Sequence, residues 1–243
     1  MATISFKPKQ VTKKLLSVLP NRAQNVLSKR FGLSGEKRMT LEAIGKEYGI
    51  TRERIRQIEN FALNTIRKSD TFKSEQKSFD EMKDFILDLG SVVSEKELLS
   101  LISKDKKTQN HIRLILVLGE EFNSRKEDAD FKQRWLVDEE TAEMIHKAIK
   151  ELYSEMSDDD LITEPDIISK FLEHIKDVSS KYRDEEIVKR WISISKKIDK
   201  NPLGEYGIAL SPNVRARGMR DFAFLVIRQH GNPMHFTEVA KEI

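Results

Sequence analysis

A chain of 243 residues with 38% apolar and 34% charged residues is too apolar for disorder and too polar for one large core, so several small helical units are expected. Its 10 Gly and 6 Pro argue against a turn-rich all-β fold, and the lack of any Cys excludes a disulfide framework, a thiolate metal site and a cysteine nucleophile. No apolar run approaches the ~20 residues that cross a bilayer, and residues 1–20 lack a secretory signal, so a cytoplasmic chain with no membrane partner is expected.

The net charge of +3 conceals an uneven distribution. Residues 1–74 carry 16 Lys and Arg against 6 Asp and Glu, whereas residues 75–200 carry 22 against 30. A basic head on an acidic body suits a head that meets nucleic acid, although charge alone equally fits a solvated surface.

In chain order, residues 11–33 read as two helices broken at Pro20 and stopped at Gly32, with Ala23, Val26, Leu27 and Arg30 at helical spacing. Residues 69–77 are polar and read as a linker. Three amphipathic stretches follow at 78–89, 94–103 and 108–118, then a hairpin within 120–137 around a charged turn. Helices at 138–157, 163–176 and 184–194 and a second hairpin around Asn201 to Gly204 repeat that pattern. The cluster Ser157 to Asp160 is too compact for a calcium loop and reads as a solvated turn. A helix containing Phe222, Leu225 and Val226, a turn at Gly231 to Pro233 and a helix capped by Thr237 that runs to Ile243 close the chain. The expected fold is mainly α, with serial helix-turn-helix or winged-helix units and short β-hairpins. Its expected boundaries are 1–70 for a DNA-binding head, 78–138 and 139–212 for two winged-helix units, and 213–243 for an incomplete last module.

The most informative segment runs from Thr40 to Arg67. Leu41, Ile44 and Tyr48 form one helical stripe, Gly49 allows a left-handed turn, Ile50 plugs the gap, and Thr51 caps the next helix. Ile55, Ile58, Ala62 and Ile66 of that second helix then face inward. Arg52, Glu53, Arg56, Gln57 and Asn60 remain together on its outer face. Arg can pair with guanine, Gln with adenine, and Glu can accept from cytosine, all in the major groove. A solvated face with internal salt bridges is the plainer alternative, but the preceding helix, glycine turn and cap favour a helix-turn-helix.

The run TLEAIGKEYGITRERIRQIE, residues 40–59, with LPNRAQNVLSKRFGL at 19–33, resembles region 4 of primary bacterial RNA polymerase sigma factors over about residues 15–68. In that family the two helices bind the upstream promoter hexamer TTGACA, and the module docks on the flap of the polymerase β subunit. The resemblance implies that Arg52, Glu53, Arg56 and Gln57 contact bases and that Arg22, Arg30 and Thr40 contact phosphates. Phe61, Asn64 and Thr65 depart from the family pattern, at positions tied to polymerase and activator contacts. Only 39 residues precede the motif, so a region-4 module attached to something else is expected rather than a complete initiation factor. Residues 221–243 in turn resemble the start of the HARE-HTH domain found in the delta subunit of some bacterial RNA polymerases.

The implied partners are promoter-like double-stranded DNA and the RNA polymerase core, with no metal, cofactor or small-molecule substrate. The alternative is an interaction scaffold or accessory polymerase subunit with only non-specific DNA affinity. An enzyme is not expected: His111, His146, His174, His230 and His235 are scattered, without an HExxH pair, a Gly-rich phosphate loop or a GxSxG elbow.

Overall fold

The computed structural model describes residues 4–35, 37–175, 182, 184–216 and 218–242. These fall into two compact units. The first comprises Met1–Asp88, Glu95–Ser124 and Trp135–Val137; the second comprises Leu89–Ser94, Arg125–Arg134 and Asp138–Ile243. The fold is mainly helical with short antiparallel strands, as the composition implied.

The first unit opens with α1 (Pro8–Leu16) and α2 (Asn21–Phe31). Pro20 separates them in an extended conformation, since its ring cannot continue α1, and Gly32 ends α2 at φ 68°. Next come α3 (Leu41–Tyr48), α4 (Arg52–Arg67), α5 (Asp70–Ser74) and α6 (Gln76–Asp88). The segment 69–77, expected as a linker, is therefore largely helical. Ser69 Oγ accepts the Phe72 N–H at 3.1 Å, and Phe72 packs on Phe79 with ring centroids 4.7 Å apart. A polar run with one well-placed cap and one aromatic anchor forms helix once a neighbour is there to pack on.

After β1 (Val92–Ser94), which belongs to the second unit, the first unit continues with α7 (Glu95–Ile102) and α8 (Lys106–Leu118). The hairpin expected at 120–137 is present as β2 (Asn123–Arg125) and β3 (Arg134–Leu136), which are hydrogen-bonded neighbours. Helix α8 is the buried spine of this unit, with Ile112, Leu114, Ile115, Leu116 and Leu118 fully buried.

The second unit contains α9 (Glu139–Ser154), α10 (Glu164–Glu173) and α11 (Glu185–Ser193), then the antiparallel pair β4 (Ile198–Lys200) and β5 (Tyr206–Ile208). The register places Ile198 opposite Ile208 and Lys200 opposite Tyr206. Ser157 to Asp160 is a closed turn, in which the Asp160 carboxylate accepts the Ser157 N–H at 2.7 Å. Finally α12 (Met219–His230) and α13 (Phe236–Glu242) flank Gly231, at φ 74°. The cap of α13 is His235 rather than the expected Thr237: the His235 Nδ1 accepts the Thr237 N–H, so Thr237 lies inside the helix. The expected helix ends at 176 and 243 lie outside the described residues.

Candidate nucleic-acid interface

Local chemistry positions α3 and α4. Thr40 Oγ1 accepts the Ala43 N–H at 3.1 Å and starts α3; Thr51 Oγ1 accepts the Arg54 N–H at 3.2 Å and starts α4. Between them Gly49 adopts φ 65°, where a side chain would be strained. The Ile50 N–H then donates to the Gly45 carbonyl at 3.0 Å, which folds the turn back on α3. A methyl on Gly45 would lie 2.7 Å from the Ile50 carbonyl oxygen, so this close approach needs glycine. Beneath the turn Val26, Ile44 and Ile55 are fully buried, and Met39, Leu41, Tyr48, Ile50 and Ile58 pack around them.

With the isoleucines inside, Arg52, Glu53, Arg56, Gln57 and Asn60 are all exposed along one side of α4. Glu53 and Arg56 keep 57% and 52% of their side-chain surface open, so both heads remain reachable. They form a two-pronged pair: Arg56 Nε donates to one Glu53 oxygen at 2.8 Å and Nη2 to the other at 2.7 Å. That hydrogen bonding holds the Glu53 carboxyl below its usual pKa and the Arg56 guanidinium above its own. Water screens such an exposed pair and leaves it weak, so a ligand with better geometry can open it. Arg54, which the outer-face reading passed over, is also exposed, and its Nη1 donates to Gln57 Oε1 at 3.0 Å. Its three-residue spacing from Gln57 was the available signal.

The three residues assigned to phosphates flank α3. Thr40 is its N-cap. Arg30 stands beside it, with Nη1 donating to the Met39 carbonyl and Nε to Glu59, both at 3.2 Å. Arg22 lies at the other end, its guanidinium 5.8 Å from the Tyr48 ring centroid. Arg30 therefore ties α2 to α4 and to the start of α3, in addition to carrying charge.

Away from this face α1, α2 and α4 pack on α8. Thr12 Oγ1 and His111 Nδ1 are 2.7 Å apart, and Asn110 Nδ2 donates to the Gly32 carbonyl at 3.0 Å. Arg67 donates to the Val117 and Leu118 carbonyls at 2.7 and 3.1 Å, which satisfies acceptors that the end of α8 leaves open. In the second unit His146 accepts from Arg134 Nε at 2.7 Å, and His174 lies between Glu151 and Glu155. Among the described residues no group of three or more His, Asp or Glu could hold a metal ion, and no helix is long and apolar enough to cross a membrane.

Residues 15–68 match the family "Sigma-70, region 4". Two similar curated proteins are each named "RNA polymerase sigma factor SigA", one from Listeria monocytogenes serovar 1/2a and one from Listeria innocua serovar 6a. Each is 41% identical over 78 residues, which is 32% of this chain and 19% of the relative. The chain thus spans about a fifth of the length of these relatives. No solved structure matches, and the likeness of residues 221–243 to HARE-HTH rests on those residues alone. With its caps, its glycine turn and its packed isoleucines in place, the segment 15–68 of this chain carries a helix-turn-helix and matches the family of sigma-70 region 4.

Proposed function

We propose that this chain is a sequence-specific DNA-binding protein of transcription, which lays α4 in the major groove of a promoter-like hexamer of the TTGACA type. Arg52, Glu53, Arg56 and Gln57 read base edges, while Arg22, Arg30 and Thr40 hold the backbone. The observation that carries the reading is the α4 side wall: four polar heads exposed together, backed by Ile55, which is fully buried. Opening the Glu53–Arg56 pair frees a guanidinium for guanine and a carboxylate for cytosine in one step.

The partner proposed beside DNA is the RNA polymerase core through its β-subunit flap, by analogy with the sigma factors that the segment resembles. The HARE-like end, residues 221–243, agrees with a polymerase-associated role. No catalytic step is proposed.

Selection of bound sequences from a random duplex pool by the full chain, with capture of core polymerase and of its isolated flap in parallel, tests this. Enrichment of one hexamer is expected, and a pool that stays random refutes base reading. A second reading, a scaffold with non-specific DNA affinity, is favoured by Phe61, 58% exposed on α4 itself. An unenriched pool together with polymerase capture that Phe61→Ala abolishes would establish the scaffold instead.

A further inference from the structure

The loop that enters α3 at Thr40 lies against the N-terminal end of α8, a helix outside the sigma-like segment. Asn110 Nδ2 anchors the loop at the Gly32 carbonyl, and a methyl on Gly35 would meet the Lys107 side chain at 3.7 Å. Partial burial and then the like charge of Arg113, on α8, keep the Arg38 guanidinium below its usual range. Burial first, and then the positive charges of Lys107 and of Lys9 on α1, hold the His111 imidazole below its usual pKa.

The loop, the start of α8 and its approach, and α1 together carry six cations: Lys9, Lys37, Arg38, Lys104, Lys106 and Lys107. All but Lys107, which is half-buried, are exposed, and none has an ion pair among the described residues. Asp105 is the acidic member, but its carboxylate is occupied by the Lys107 and Thr108 N–H groups and the Thr108 hydroxyl. Glu36, also in the loop, lies outside the described residues.

Glu95 and Glu59 act on Arg38 and Asp105 on Lys107, so these carboxylates offset part of the positive charge; a duplex backbone supplies further negative charge, one phosphate every ~1.7 Å along its axis. The loop's other end is Thr40, at the edge of the face assigned to DNA. We infer that Lys37, Arg38 and the cations at the start of α8 grip the phosphate backbone of duplex DNA flanking the recognised site. The sigma-like head thereby gains a second, sequence-independent foothold from outside residues 15–68. This rests on the DNA-binding reading above and deepens it.

The test compares the full chain with its triple variant Lys104→Gln, Lys106→Gln, Lys107→Gln on a long duplex carrying TTGACA at its centre and on a scrambled duplex. Affinity is titrated against salt and hydroxyl-radical protection is mapped. Loss of up to three phosphate contacts should flatten the slope of log affinity against log salt by about 2–3. The preference between the two duplexes should be unchanged, and protection should vanish from one flank only. Lys106→Glu should repeat the flank loss alone. An unchanged slope and footprint overturn the inference, as does a variant that keeps its DNA behaviour but loses polymerase capture. If the wild type binds both duplexes alike, base reading fails while the slope still decides the lysines; if it binds neither, both fail.

Discussion

Gly45→Ala isolates the packing on which the DNA-facing helix depends. In a helix interior Ala is ordinarily better than Gly by ~1 kcal/mol, so propensity alone predicts a gain for this position in α3. The added methyl, however, would stand 2.7 Å from the Ile50 carbonyl oxygen and 3.4 Å from both the Thr51 carbonyl carbon and the Arg52 nitrogen. All three are backbone atoms, so no rotamer change relieves the contact. The turn must move, which strains the Ile50-to-Gly45 hydrogen bond and the Thr51 cap of α4. Overpacking of this kind costs ~1–3 kcal/mol and a lost cap ~1 kcal/mol, so a net loss of about 2 kcal/mol is expected after the propensity gain. Amide hydrogen exchange of the full chain reads that locally, as roughly 30-fold faster exchange in α3 and α4. Gly49→Ala is the control. Its site has φ 65° but no atom within 4 Å, so only the left-handed penalty of ~1–2 kcal/mol applies, and Gly49→Asn should recover part of it. Protection in Gly45→Ala equal to the wild type would refute the close approach as the reason for glycine there.

Three further outcomes follow from the same geometry. Arg56→Ala should cost about 1–3 kcal/mol on the selected hexamer and relax its sequence preference; equal losses on matched and scrambled duplexes would show that Arg56 does not read bases. Arg30→Ala should weaken both duplexes alike and flatten the salt dependence. It should also speed exchange at the start of α3, because the Met39 carbonyl and Glu59 lose a charged donor; a pure charge effect would leave exchange unchanged. In the second unit, burial first and the neighbouring Arg134 next push His146 down to about 4 from 6.5. The unfolded chain therefore takes the proton first as pH falls, and stability should drop between pH 6.5 and 4, by up to about 3 kcal/mol. His146→Gln should remove that part of the pH dependence in denaturant melts, and a profile that it leaves unaltered would put the acid sensitivity elsewhere.

Residues that act on their immediate neighbours were legible in the sequence. Pro20, Gly32, Gly49 and Thr51 do their work within four residues of themselves, so helix ends and the turn could be read off directly. The outer face of α4 was equally legible, because a 3.6-residue period that buries Ile55, Ala62 and Ile66 must expose Arg52, Glu53, Arg56 and Gln57. Thr237 and the 69–77 segment were misread for a shared reason: each carries a polar pattern whose meaning depends on which neighbour arrives to cap or cover it.

What the linear order of residues determined, then, is the helix-turn-helix itself, since hydrogen bonds and periodicity of short range suffice to specify it. Only the tertiary structure decided what that unit rests on. The pairing of Thr12 with His111, the anchoring of Arg67 on the end of α8, the tight contact at Gly45 and the meeting of Lys107 with the 34–39 loop depend on the packing of side chains and turns. Three of them join residues 50 or more positions apart. Contacts of that range are selected by the shape and burial of whole helix faces, and no local pattern encodes them.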